Sequence, residues 1–233
     1  MVNSFKLYNS FNIKPYHKDS IILIGNFDGL HLGHQKLFNL AKNYKKKYSL
    51  QLGVITFEPM PKMYFNKNIK NFRLSNQKQK INILNKLNVD FVITKKFNKE
   101  FSKIKSIDFI KNILKKKIKA KFIFVSNNFR FGNKREGDVK QLIKYENSFG
   151  YKIIKPKPLL IKKKIISSSL IRNYLQIGKL NEANKLLNRN WSIEGKVQKV
   201  KQLGKKIGFP TANLDIKDYI LACPGVYAVK VKN

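Results

Sequence analysis

Apolar residues fall along this chain in two alternating periods. Short, nearly continuous runs recur at residues 21–24, 50–57, 89–94, 121–125 and 151–155. Such runs suit strands buried on both faces of a parallel sheet. Between them the period lengthens towards 3.6, through Leu37, Leu40, Ala41 and Tyr44, then Ile81, Leu84 and Leu87. Ile107, Ile110, Ile113 and Leu114 continue the series, followed by Leu142, Ile143 and Phe149. Each of these stretches predicts an amphipathic helix, and Ser75 and Asp138 are placed to cap two of them. Strand and helix in alternation predict an α/β fold, a doubly wound parallel sheet of five strands. The strand at 50–57 is expected to be interrupted at Gly53. Residues 1–20 are polar and without clear period, although Phe5, Leu7 and Phe11 could pack against a sheet edge. A short helix is expected from Gly178, with Ala183, Leu186 and Leu187 inward. Beyond Trp191 the pattern turns β-like, at 193–200 and again at 226–231.

Length and composition narrow the class. A chain of 233 residues has room for one large domain, or one domain and part of another, and 42% hydrophobic content supports a core. No run of 18 apolar residues occurs and the first twenty lack a signal-peptide core, so the expectation is a soluble, cytoplasmic protein without a membrane span. The lone cysteine, Cys223, excludes a disulfide within the chain and a cysteine-cluster metal site. A net charge of +36 raises nucleic-acid binding as a reading of a different class. Only five of the 49 basic residues are arginines, the side chain suited to bidentate phosphate and base contacts. The lysines are spread along the chain, which favours solvated faces over a dedicated nucleic-acid stripe.

One stretch carries chemistry. After the run at 21–24 come Gly25-Asn26-Phe27-Asp28-Gly29 and then His31-Leu32-Gly33-His34, where the helical period begins. Strand, tight turn and helix start make an anion site, because the first helical amides lack internal partners and the macrodipole adds positive charge. Gly29 and Gly33 remove side chains that would block a phosphate. Two histidines three apart share one face, so both imidazoles can reach one phosphoryl group.

GNFDGLHLGH resembles the GxFDGxHxGH signature of nucleotidyltransferases, whose two histidines act on the α-phosphate of a nucleoside triphosphate. That signature is shared by FMN, nicotinamide-nucleotide and pantetheine-phosphate adenylyltransferases and by relatives using CTP. Further blocks resemble bacterial bifunctional riboflavin kinase/FMN adenylyltransferases (FAD synthetases). TFEPMP, with Pro59 and Met60, is similar to that family's TFEPHP, methionine standing for the usual histidine. NFRFGNKREGD, with Asn128, Phe129 and Arg130, is similar to its DFRFGxxRxGD. SSSLIR, with Ser168, Ser169 and Arg172, is similar to its SSTxIR, preceded by Ile165 where arginine is frequent. Alone, the serines could equally be a helix N-cap and the aromatics core residues. GFPTAN, with Thr211 and Asn213, is similar to the Mg-ATP motif of riboflavin kinases.

The resemblance implies ATP and FMN as substrates, Mg²⁺ as cofactor, and FAD and pyrophosphate as products. It implies that His31 and His34 are catalytic and that Gly25, Phe27, Asp28, Gly33, Asn128, Ser168, Ser169 and Arg172 bind the nucleotide. Pro59, Met60, Phe129 and Arg130 become candidates for the flavin loops, with Thr211 and Asn213 holding Mg²⁺ and ATP in the kinase part. The expected division is an adenylyltransferase domain at 1–187 and an incomplete riboflavin-kinase-like β-barrel at 188–233. The family's later acidic residue lies beyond these 233 residues, which implies impaired riboflavin phosphorylation. Partners are expected to be small molecules, with no membrane; the oligomeric state stays open.

Overall fold

A computed structural model describes residues 5–198, 208 and 211–231. Its centre is a parallel sheet of six strands: β1 (Lys6–Tyr8), β2 (Ile21–Ile24), β3 (Leu52–Glu58), β4 (Phe91–Lys96), β5 (Phe122–Phe124) and β6 (Lys152–Ile154), in the spatial order β1-β4-β3-β2-β5-β6. The class is the expected one and the sheet has one strand more. The addition, β1, pairs with β4 at the edge, and its half-exposed KLY has no period for a sequence reading to find. Gly53 does not interrupt β3. It sits opposite Phe91, whose ring fills the missing side chain's place, and a Cβ there would come within 2.2 Å of that ring.

Helices cover both faces. Helix α1 (Leu32–Tyr48) buries Leu37, Phe38 and Ala41 against β2 and β3. Helix α2 (Gln77–Lys86) starts one residue later than expected: its cap is Asn76, in a reciprocal capping box with Gln79. Ser75 is instead buried and accepts the Gly29 amide at 3.4 Å. The segment after Ser106 becomes a π-helix at Phe109–Ile118. Its buried pairs Phe109 with Leu114 and Ile113 with Ile118 lie five apart, the spacing that i→i+5 bonding brings onto one side. Asp138 caps its helix as expected, accepting from the Gln141 amide, but Ile143 points outward.

The topology places the site. β2 is flanked by β3 on one side and β5 on the other: the chain runs outward through β3 and β4 in one direction, then crosses back to β5 and runs outward to β6 in the other. In open α/β sheets the crevice outside the carboxyl ends of two such strands is where ligands bind. Helices α3 (Ser168–Gln176) and α4 (Leu180–Leu187) pack beside that crevice through Ile171, Leu175, Ala183 and Leu187, joined there by Leu74 and Ile220. No helix among the described residues is long and apolar enough to cross a membrane.

Candidate active site

A cavity of about 1180 Å³ opens at the switch point, bordered by Ile24 and Gly25 at the end of β2 and by Val125 and Ser126 after β5. Small-molecule sites typically enclose roughly 300–1,000 Å³, so this volume can take two substrates side by side. Its walls differ. One is polar and built from the β2–α1 turn and the start of α3; the other is aromatic, with Phe57, Phe97, Phe101, Phe109, Phe129 and Phe131.

The polar wall begins with a strained turn. Phe27 has φ 49° and Leu30 φ 42°, unusual for bulky residues, while Gly29 at φ 76° occupies the region that glycine favours. A Cβ on Gly29 would also meet Leu74 at 2.8 Å. Such strain persists where surrounding contacts enforce it, and these are explicit. The Asp28 carboxylate accepts from the Leu74 amide at 3.0 Å and the Ser75 amide at 3.4 Å, and is ion-paired with Arg172 at 2.6 Å. Ser168 donates its hydroxyl to the Asp28 carbonyl at 2.8 Å.

His31 and His34 stack with ring centroids 3.8 Å apart and planes 19° apart. His31 caps α1: its Nδ1 accepts the His34 amide at 3.4 Å, which leaves the ring proton on Nε2. Burial, then the nearby Arg172 and Arg189, pushes His31 down to about 4. Burial, then His31 and Lys80, pushes His34 well below 6.5. Both rings are therefore neutral near pH 7 and act as neutral hydrogen-bonding groups. The Nδ1 of His34 is buried without a hydrogen-bond partner among the described residues, so that atom is not spent on the fold. Gly33 serves the histidines directly, since a Cβ there would stand 3.1 Å from the His31 ring and 3.3 Å from the Ile166 carbonyl.

Most residues singled out in the sequence line this cavity: Gly25, Phe27, Asp28, Met60, Asn128, Phe129, Arg130, Ser168, Ser169 and Arg172 accompany the two histidines and Gly33. Their engagements refine the roles that the resemblance implied. Arg172 faces the cavity, but its Nε donates to the Phe72 carbonyl at 2.8 Å, its Nη2 is held by Asp28, and its guanidinium lies 3.7 Å over the Phe72 ring. Ser168 is likewise committed to the turn, and Ser167 is the helix cap. Ser169 is exposed at the cavity wall. Asn128 accepts from the Ser126 hydroxyl at 2.9 Å, and Arg130 pairs loosely with Asp138 at 3.7 Å. Phe129 stacks parallel to Phe131 at 5.6 Å.

Pro59 lies outside the lining, while the buried Met60 faces it. Thr211 and Asn213 are exposed and also stand apart from the cavity; Phe209 and Pro210 of the same motif lie outside the described residues.

The sequence reading missed the cations beneath the turn. Lys80 is 1% exposed, with its Nζ 3.4 Å from the Thr56 hydroxyl, which in turn donates to the Asn26 carbonyl at 3.3 Å. Burial lowers its pKa, partly offset by Glu58 and Asp28. Arg73 grips both oxygens of Glu58. Arg189 donates to the Gly29 carbonyl at 2.6 Å. A lysine inside an apolar helix period is the one available hint, and it reads as solvated until the tertiary fold buries it.

Among the described residues no three His, Cys, Asp or Glu side chains gather as a metal site. Asp28, the carboxylate at the histidines, is already saturated by Arg172 and two amides.

Comparison with known proteins agrees with this geometry. A family model described as FAD synthetase matches residues 13–170, and one described as riboflavin kinase matches residues 187–233. A protein from Buchnera aphidicola subsp. Acyrthosiphon pisum (strain APS), named bifunctional riboflavin kinase/FMN adenylyltransferase, is 40% identical over 221 residues, covering 95% of this chain and 71% of its own. A protein of the same name from Escherichia coli (strain K12) is 35% identical over 211 residues, covering 91% and 67%. A crystal structure described as a macrolide-efflux protein from Streptococcus pneumoniae superposes with a TM-score of 0.80 at 27% identity, over 96% of this chain and 73% of that one. The strand order, the paired histidines at the switch point and these matches lead to one conclusion: the chain belongs to the FAD synthetase family.

Proposed function

We propose that this cavity joins ATP and FMN, giving FAD and pyrophosphate, and that His31 and His34 are its catalytic residues. The observation that carries the reading is the stacked, neutral histidine pair at the polar end of a cavity whose other end is aromatic. A phosphate monoester has its second pKa near ~6, so FMN arrives mostly as the dianion and needs no strong base. One of its phosphate oxygens forms a bond to the α-phosphorus of ATP, while the bond from that phosphorus to the bridging oxygen breaks and pyrophosphate leaves. Catalysis is then alignment and stabilisation of charge on the α-phosphoryl oxygens. His31 donates through Nε2, and the first amides of α1 supply further donors. A neutral imidazole suits this role because its single N–H, on Nε2 of His31, is left to donate while Nδ1 accepts the His34 amide.

Asp28, Ser168 and Arg172 hold the turn in register, with Ser169 facing the triphosphate. The aromatic wall, with Phe129 and Met60, receives the isoalloxazine. Mg²⁺ belongs to this reading as a companion of ATP, taking its ligands from phosphate oxygens, because the adjacent carboxylate is spoken for. The division at residue 187 is part of the same proposal: adenylyl transfer before it, the riboflavin kinase likeness after it. Purified protein supplied with ATP, Mg²⁺ and FMN should yield FAD and pyrophosphate, separated by chromatography. Absence of FAD under those conditions refutes the reading.

A further inference from the structure

The histidine turn is held from three directions. Segment 72–75 holds Asp28 through the Leu74 and Ser75 amides, and α3 holds it through Ser168 and Arg172. The third hold comes from beyond residue 187. There the mostly buried Arg189 donates to the Gly29 carbonyl at 2.6 Å and to the Leu187 carbonyl at 3.1 Å. Gln35 on α1 bridges the Leu30 and Leu187 carbonyls at 3.0 and 3.1 Å. The Trp191 indole donates to the Leu74 carbonyl at 2.9 Å.

Residues 217–220 reinforce the same element. The Phe72 and Arg73 amides donate to the Asp218 carbonyl at 3.1 and 2.8 Å, and the Ile220 amide donates to the Arg73 carbonyl at 2.8 Å. Buried Tyr219 donates to Gln79 at 2.9 Å, next to the α2 cap. The segment that clamps Asp28 is therefore itself clamped by the stretch matching riboflavin kinase.

We propose that Arg189, within the riboflavin-kinase-like stretch, is a positioning residue for adenylyl transfer. It fixes the Gly29 carbonyl and so the turn presenting His31 and His34, which makes the adenylylation site dependent on residues outside the matched FAD synthetase region. Arg189 does not line the cavity, so it acts through the turn and not on substrate. The proposal rests on the adenylyl-transfer reading above.

The test separates positioning from plain stability. The charged groups acting on His31 are Arg172 and Arg189, and Lys80 acts on His34; Asp28, held by Arg172, lines the same cavity. Protonation of His31 at Nδ1 would break its bond to the His34 amide, giving FAD synthesis an acidic limb. Arg189→Gln should lower kcat by about 10–10²-fold, the size expected for a misplaced catalytic group. KM for ATP and FMN should stay near wild type, and the acidic limb should move to higher pH because a cation beside His31 is gone. Arg189→Lys should keep the limb at its wild-type position with an intermediate kcat.

A folded Arg189→Gln protein with wild-type kcat, or with an unmoved limb, overturns the proposal. Should Arg189→Gln fail to fold by circular dichroism, Arg189→Lys decides, and wild-type kcat in it overturns the proposal. A wild-type chain that makes no FAD from FMN sinks the adenylyl-transfer reading and this role with it. An active wild type with indifferent variants sinks only the role of Arg189.

Discussion

The two ends of the cavity are built on opposite plans. At the histidine end nearly every polar group has an assigned partner, and Asp28 alone takes two backbone amides and one guanidinium. At the aromatic end most contacts are ring on ring, Arg130 has only a loose pair with Asp138 and one bond to the Arg135 carbonyl, and Phe65 is 65% exposed. Hydrogen bonds and ion pairs are directional and specify position to fractions of an ångström, whereas apolar contact mainly rewards burial. The first plan suits a step in which a misplacement of about 1 Å can cost 10²-fold in rate. The second suits a site that needs a flat ring held loosely enough for product to leave. Damage at the histidine end should therefore appear in kcat and stability, and damage at the aromatic end in KM for FMN.

The largest expected effect is on Asp28→Asn. The buried pair with Arg172 has side chains only 4% and 12% exposed, so removing one charge leaves the other uncompensated. Breaking such a pair typically costs about 3–5 kcal/mol. Denaturant unfolding should show a loss of that order, with kcat for FAD synthesis falling alongside; a loss below about 1 kcal/mol would mean that the pair is not the brace. His34→Ala should come next, with a kcat loss of about 10²–10³-fold and FMN binding nearly intact, since the lost bond is made to developing charge. Retained turnover in that variant would remove His34 from the chemistry.

Acid should act on the same end. His31 is held near 4 in the fold against 6.5 for a free histidine, by burial first and by Arg172 and Arg189 after it. The unfolded chain thus binds a proton between those values that the folded chain refuses, and stability falls as pH drops from 6.5 towards 4. The gap corresponds to roughly 3 kcal/mol. Unfolding curves across that range should show the loss, and His31→Gln should remove the share due to His31 while leaving that of His34, which burial also holds below 6.5. An equally steep loss in that variant would place its origin elsewhere. Phe129→Ala tests the other end. Loss of one stacking face is worth about 1 kcal/mol, so KM for FMN should rise several-fold with kcat near wild type. A kcat effect larger than the KM effect would erase the distinction between the two ends.

The same contrast explains what could be read from the sequence. Ile21–Ile24, the α1 period and the HLGH spacing are local patterns, and the structure keeps them almost unchanged. The turn's supports are not local. Leu74 reaches Asp28 across 46 positions, Arg172 across 144, and Arg189 reaches Gly29 across 160. No period or motif announces such partners, and the fold alone decides that Lys80 is buried while Lys78 and Lys86 on the same helix are exposed. The helix over 106–118 was legible as apolar spacing, yet spacing alone did not distinguish a π-helix from an α-helix. Capping followed the same rule, since Ser75 and Asn76 are both good caps and only the burial of Ser75 selects between them.

Met60→His should have the smallest effect, and its sign sharpens the comparison most. Met60 is buried yet faces the cavity, and it precedes the short helix Pro61–Phe65 beside the aromatic wall. A thioether there fits an irregular apolar surface without demanding a partner. An imidazole has similar bulk but brings two polar nitrogens, and burying one unpaired costs about 1–3 kcal/mol. Within the apo cavity that cost should appear as a modest drop in thermal stability. On the proposed placement the FMN ring nitrogens and carbonyls would meet this wall, so saturating FMN should restore part of the loss. kcat should stay within a few-fold of wild type, because residue 60 makes none of the hydrogen bonds that hold the histidine turn. A fall in kcat comparable to that of His34→Ala would show that this wall takes part in the chemical step. A variant in which FMN neither restores stability nor changes its KM would place Met60 outside the flavin's reach.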